Sequence, residues 1–298
     1  MTMTTPDNPG MNLTFDIATL CSLRDQVLSL AHDAGDCILQ VYGHAGAGVD
    51  DVEVSIKGDQ TPVTAADLAA HELSVNRLSA LQPRLPVSCE ESEIIPLKER
   101  HDWPAYWLVD PLDGTREFLR RNGEFAVNIA LVVNHRPVLG VVVAPVLGVA
   151  YHAVRGDGAW KQTSAESGAL TTPIHVRSVP DSGVVVARSR CASTGHRLRR
   201  FLDRLGKHDE ISMGSALKSC LVAEGAADVY ARLGPTGEWD TGAAQCIVEE
   251  AGGHLTDTTL ERLRYNERDT LINPHFVVFG DKNVDWADHL APLRAESP

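Results

Sequence analysis

Two aspartates stand three residues apart in the stretch WLVDPLDGTREF, Trp107 to Phe118, where an apolar run meets a turn rich in Pro and Gly. Asp110 and Asp113 repel one another on so tight a corner unless a cation or ample water lies between them. With the carbonyl of Leu112 they form an oxygen-only donor set, which suits Mg²⁺, while the amides of Gly114 and Thr115 at the turn can receive a phosphate oxygen. Two ions roughly 3.5–4 Å apart would stabilise both the entering and the leaving oxygen of an in-line displacement at phosphorus. The motif therefore predicts metal-assisted chemistry on a phosphate ester.

Three other acidic signals lie far away in the chain, and each has a plain structural reading. Glu90 and Glu91, in CEES, could be a solvated loop on the way to Pro96. Asp67 stands three residues after Thr64, so TAAD is a capping box whether or not it takes part in chemistry. Asp240, in EWDTGAAQ, could cap the helix that follows it.

The elements that must position these groups follow from periodicity. After an arm of residues 1–14, Leu20, Leu23, Val27, Leu30, Ala31, Ala34, Ile38 and Val41 recur at helical spacing and predict a long amphipathic helix ending near Gly43. The Gly-rich GHAGAGVDD then leads to VEVSIKGDQTPVT, which reads as a hairpin before a second helix from Ala65 to about Leu81. YWLVD, VNIALVV, PVLGVVVAPV and GVAYHAV are β-rich runs joined by short turns such as NHR, which predicts an antiparallel meander within an α+β half, residues 15–155, that carries the acidic motif. Beyond Gly156 strands and helices alternate: GVVVARS, a helix near Gly195 to Leu205, EISMGS, a helix near Ala216 to Gly225, ADVYARL, and a helix from about Thr241 to Ala251. Residues 156–298 therefore read as an α/β half.

Composition narrows the class. The 298 residues are 43% hydrophobic, enough for a sizeable core, and the net charge of -13 comes without any Lys/Arg block, which argues against a nucleic-acid surface. An anionic substrate must then be met by local positive charge. The six cysteines show no C-x-x-C pair and no zinc spacing, which fits a reduced, cytoplasmic setting. The start of the chain has no basic n-region or apolar h-region. The longest apolar stretch, Val138 to Ala150, is broken by Gly140, Pro145 and Gly148, so no membrane span is expected.

D-P-L-D-G-T, preceded by E-E and followed downstream by W-D-x-x-A-A, resembles the lithium-sensitive, magnesium-dependent phosphatases related to inositol monophosphatase. The longer strings WLVDPLDGTREFLRRNGEFAVNIALV, GSALKSCLVAEGAADVYARLGPTGEWDT and LINPHF are similar to one branch, the bacterial 3'(2'),5'-bisphosphate nucleotidases of sulfate assimilation. The resemblance runs from about Lys57 to Gly280 and implies a layered αβαβα sandwich with the metal cluster between its halves. It implies two or three Mg²⁺ ions held by Glu90, Asp110, the backbone of Leu112, Asp113 and Asp240. Asp67 and Thr115 would orient the attacking water, with Glu90 as a base. Lys57 matches a family lysine near the metal entrance, and Glu91 is the second glutamate of the E-E pair.

The substrate implied is a small nucleotide bisphosphate rather than a nucleic acid, and its recognition must come from outside the metal centre. Ser215 and Lys218 in GSALK, about one turn apart at a helix start, and Tyr230 and Arg232 in YAR, on one face of a strand, suit a second phosphate and a base. Leu112, Asp113, Gly114, Thr115 and Asp240 would face the reacting phosphate. After VVVA the branch carries a His following R-S, whereas this chain reads Ser189-Arg190, so a guanidinium face would stack on the base there. The expected reaction is removal of the 3'-phosphate of adenosine 3',5'-bisphosphate, with 3'-phosphoadenylyl sulfate as a second substrate. A broad inositol or sugar phosphatase and a non-catalytic nucleotide-binding relative are the alternatives. Localisation is expected to be cytoplasmic, with peripheral attachment at the inner membrane left open.

Overall fold

The computed structural model describes residues 14–44, 54–56, 62–164, 168–190 and 195–294. The first periodic stretch forms α1 (Ile17–His44), whose stripe from Leu20 to Ile38 is buried. A hairpin of β1 (Val54–Ile56) and β2 (Pro62–Thr64) runs directly into α2 (Ala65–Ala80). Thr64 caps that helix in the predicted box: its Oγ1 accepts from the amide of Ala66 at 3.2 Å, and its own amide donates to Asp67 Oδ2 at 2.7 Å.

The meander follows as β3 (Val87–Cys89), the short helix α3 (Leu97–Arg100), β4 (Ala105–Asp113), the short helix α4 (Thr115–Leu119), β5 (Ala126–Val133), β6 (Arg136–Ala144), β7 (Val149–Val154), β8 (Gly158–Thr163) and β9 (Leu170–Pro173). These seven strands pair in chain order, all antiparallel except β3 with β4. Asn134 and His135, both at positive φ, make the tight turn between β5 and β6. The sheet thus takes in β8 and β9, beyond the change of pattern at Gly156.

Period-two alternation sorts the sheet into two buried faces. On β4 and β5, Trp107, Val109, Val127, Ile129 and Leu131 join α1 and α2 in one core, while Tyr106, Leu108, Ala126, Ala130 and Val132 join a second core on the other side.

The second half contributes β10 (Val184–Arg188), α5 (His196–Leu205), β11 (His208–Ser212), α6 (Leu217–Ala223), β12 (Val229–Arg232), a 3-10 turn at Glu238–Asp240, α7 (Gly242–Glu250), β13 (His254–Asp257), β14 (Phe276–Phe279) and α8 (Trp286–Arg294). The order β11-β10-β12-β14-β13 is mixed, with β10 parallel to both its neighbours. Helices α6 and α7 lie between the two sheets in the second core, and α5 packs with α8 on the outer face. The layers are therefore αβαβα. Sequence pattern did not identify β13, β14 or α8; the two strands have only four residues each, too few to display alternation.

One close approach matters for the site. A Cβ at Gly140 would lie 2.3 Å from the carbonyl oxygen of Ala243, and one at Gly242 would lie 2.8 Å from Leu108 Cδ2. The start of α7 therefore rests against the sheet backbone, which carries Asp240, two residues before it, close to the end of β4.

Candidate active site

Residues three apart on a regular strand point to opposite faces, yet Asp110 and Asp113 share one. The β4–β5 register explains it: Asp110 pairs with Asn128 and Asp113 with Ala126, so β4 spends three steps where β5 spends two. That extra residue is a β-bulge, placed at Pro111, which has no N–H to give the ladder. It restores both carboxylates to the side of Ala126 and Asn128, facing the middle helix layer. The turn then closes through Gly114 at φ 95°, a left-handed conformation that favours glycine.

The middle layer supplies the third acid. Asp240 Oδ2 accepts the amide of Gly237 at 2.7 Å, so its hydrogen bond holds the 3-10 turn rather than capping α7. One carboxylate oxygen each from Asp110, Asp113 and Asp240 lies within 4.8 Å of the others. Glu90 comes alongside because β3 runs parallel to β4 with Cys89 opposite Val109, and the amide of Glu90 donates to the Val109 carbonyl at 3.1 Å.

Electrostatics show what this arrangement lacks in protein groups alone. Burial, followed by the charges of Glu90, Asp113 and Asp240, holds the Asp110 carboxyl well above its ordinary range. Burial and the same kind of repulsion push Asp240 up to about 8. Burial also raises Asp113, opposed by Lys218, by the Asn128 amide at 3.1 Å and by the Ala216 amide at 2.5 Å. Buried carboxylates this close ionise together only around a cation. The residues fit a hard divalent ion: every side-chain donor is a carboxylate oxygen, and no described His or Cys joins them.

The neighbouring network is hydroxyl-bearing. Thr115 Oγ1 donates to Asp67 Oδ1 at 3.3 Å, and Asp67 Oδ2 is fixed by the hydroxyl of Thr64 at 2.6 Å. Thr115 Oγ1 also lies 3.5 Å from the Leu112 carbonyl, and the Leu112 amide donates to Asp110 Oδ1 at 3.0 Å. Burial raises the Asp67 carboxyl despite the Thr64 bonds that lower it.

A cleft of about 800 Å³ opens above the acids, bordered by Glu90, Asp110, Leu112, Asp113, Gly114, Thr115, Ser189, Tyr230, Arg232 and Asp240. It continues into a smaller pocket of about 220 Å³ that adds Ser215 and Lys218. The Lys218 ammonium donates to the Ser215 carbonyl at 2.5 Å and lies 5.3 Å from the Tyr230 ring centre. Burial lowers its pKa to about 8, against the pull of Asp113. Arg232 donates to the Pro235 carbonyl at 3.0 Å, and Tyr230 meets Phe276 edge-on at 5.8 Å.

Two expected residues fall elsewhere. Arg190 turns from the cleft to Glu124, at 2.5 Å and 3.2 Å, and to the Ser212 carbonyl, because the partly buried carboxylate of Glu124 offers it a bidentate partner. Glu91 does not border the cleft, and Lys57 lies outside the described residues. Conversely, Arg116, Glu117, Arg120, His196 and Arg197 line the two cavities without having been singled out. The signal for the arginines was present in TREFLRR, the basic run directly after the acidic motif.

Residues 22–295 match the Inositol monophosphatase family. The chain is 48% identical over 257 residues to the 3'(2'),5'-bisphosphate nucleotidase CysQ of Salmonella typhimurium, covering 86% of this chain and 99% of that one. It is 46% identical, with the same coverage, to the protein of that name from Escherichia coli K12. Among solved structures, CysQ from Bacteroides thetaiotaomicron, a bacterial member of the same family, superposes with a TM-score of 0.74 at 36% identity, covering 87% of this chain and 97% of the other.

Proposed function

The chain belongs to the inositol monophosphatase family, and from that premise we propose a metal-dependent phosphatase that hydrolyses adenosine 3',5'-bisphosphate to AMP and inorganic phosphate. 3'-Phosphoadenylyl sulfate is the second substrate, since it carries the same 3'-phosphate. The observation that supports the reaction most is the bulge that turns Asp110 and Asp113 toward Asp240 at the base of a cleft with cationic walls.

Glu90, Asp110, the Leu112 carbonyl, Asp113 and Asp240 would hold two or three Mg²⁺ ions. Bound there, the metal supplies charge neutralisation at phosphorus and lowers the cost of ionising the attacking water. The remaining steps belong to side chains. Thr115 Oγ1 hands its proton to Asp67 Oδ1 as it takes one from the water, and burial, which raises the Asp67 carboxyl, favours its taking that proton. Lys218 and Arg232 receive the second phosphate in the inner pocket, Ser215 adds a hydroxyl, and the Tyr230 ring offers a face to the base.

The surroundings agree with a small-molecule enzyme of the cytoplasm. No helix among the described residues is long and apolar enough to cross a membrane, and none of the five described cysteines forms a disulfide.

The deciding experiment is phosphate release from adenosine 3',5'-bisphosphate and from inositol 1-phosphate, each with Mg²⁺ and with chelator. Release that needs Mg²⁺ and favours the bisphosphate is expected. Preference for inositol 1-phosphate would replace this reading with a broad monophosphatase.

A further inference from the structure

Resting on the nucleotidase reading, we propose that Arg116 and Arg120 join Lys218 and Arg232 in gripping the phosphate that is not hydrolysed, and so set the preference for a bisphosphate over a monophosphate. Both border the inner pocket, together with Lys218, Arg232, Asp113 and Asp240. Neither makes a side-chain hydrogen bond or ion pair with any described residue. The other lysine and arginines of the cleft are engaged: Lys218 with the Ser215 carbonyl, Arg232 with the Pro235 carbonyl, Arg188 with Glu210 at 2.6 Å, and Arg197 with the His275 ring.

Placement separates these two from ordinary surface arginines. They stand four residues apart on the turn after Thr115, hence on one side of α4, where like charges weaken the helix instead of supporting it. Their neighbour Arg121 points away, donating to the Tyr42 carbonyl at 2.7 Å and lying 4.3 Å from the centre of the Tyr42 ring. In a chain of net charge -13, two guanidinium groups without an acid partner beside a metal-binding carboxylate cluster mark a place for an anion. A guanidinium matches phosphate oxygens in a bidentate fork, which a monophosphate bound at Asp113 and Asp240 leaves unused.

The test compares kcat/KM for adenosine 3',5'-bisphosphate and adenosine 3'-monophosphate in wild type, Arg116→Gln, Arg120→Gln and the double variant, with Arg121→Gln as control. Inhibition by AMP, which retains the 5'-phosphate, is measured beside inhibition by adenosine. A charged hydrogen bond lost to each substitution lowers the bisphosphate-to-monophosphate ratio by about 10-fold or more and weakens AMP inhibition similarly. Arg121→Gln keeps the wild-type ratio, and Arg116→Lys recovers part of the loss. An unchanged ratio in a wild type that prefers the bisphosphate overturns the arginine assignment alone. A wild type that hydrolyses neither nucleotide overturns the nucleotidase reading and this assignment with it.

Discussion

Asp113 Oδ2 accepts the backbone amide of Ala216 at 2.5 Å across 103 residues of sequence. This bond joins the end of β4 in the first sheet to the start of α6 in the middle layer. The same oxygen takes the Asn128 amide, so Oδ1 is the atom left for a cation. One carboxylate thus serves the fold through one oxygen and, in the proposed reaction, would serve the metal through the other.

Asp113→Asn keeps an oxygen that can accept from Ala216 and Asn128 but loses the charge. Turnover is expected to fall more than about 100-fold, exceeding the loss typical when only a group supporting a metal ligand is removed. Phosphate release and thermal unfolding, measured together, separate the roles. Activity close to wild type would end the metal assignment.

Asn128 is fully buried opposite Asp110 in the ladder, with its Nδ2 on Asp113 and its Oδ1 without a hydrogen-bond partner among the described residues. Asn128→Ala leaves the Asp113 carboxylate held by the Ala216 amide without its second donor. The Mg²⁺ concentration for half-maximal activity should rise about 10-fold, in line with losses seen on removing the partner of a metal-bound carboxylate. Titration of the metal-free protein with Mn²⁺ should show the same weakening. Unaltered metal affinity would reduce Asn128 to a packing residue.

The chemistry was legible in the sequence because the acidic motif carries its own turn and strand: DPLDGT has its Pro at the bulge and its Gly at positive φ. Helix α2 was legible from TAAD for the same local reason. What stayed hidden depends on distant partners. Nothing around Arg190 announces that Glu124, 66 residues earlier, will draw it out of the cleft. Arg100, only 1% exposed, reads as a surface residue of KER until Asn266 and the carbonyls of Arg268 and Asp269 surround it. Pairing across such separations is a property of the folded layers, which local periodicity does not encode.

Lys218 carries a pKa lowered to about 8, mainly by burial. Its charge is therefore present at neutral pH and lost as pH rises through that value. For the bisphosphate, kcat/KM should show an alkaline limb near pH 8, and Lys218→Met should lower the plateau about 10-fold or more while removing the limb. A limb that survives in the variant would belong to another group.

The acid cluster gives the metal-free protein a pH dependence of its own. Asp240 has a folded pKa near 8, above the ordinary carboxylate value, and Asp110 and Asp113 are raised as well, burial being the first cause in each. A raised folded pKa means that the folded state binds more protons than the unfolded state. The stability these groups contribute is full below about pH 4, the ordinary carboxylate value, and is lost as pH climbs toward 8. Mg²⁺ requires the ionised carboxylates and competes with those protons, so its stabilising effect grows over the same window. Thermal unfolding with and without saturating Mg²⁺ should show a larger gain in Tm at pH 8 than at pH 6, and Asp240→Asn should flatten the slope. Equal gains at both pH values would mean that the ion displaces no protons from Asp110, Asp113 and Asp240, and would overturn the raised pKa values assigned to them.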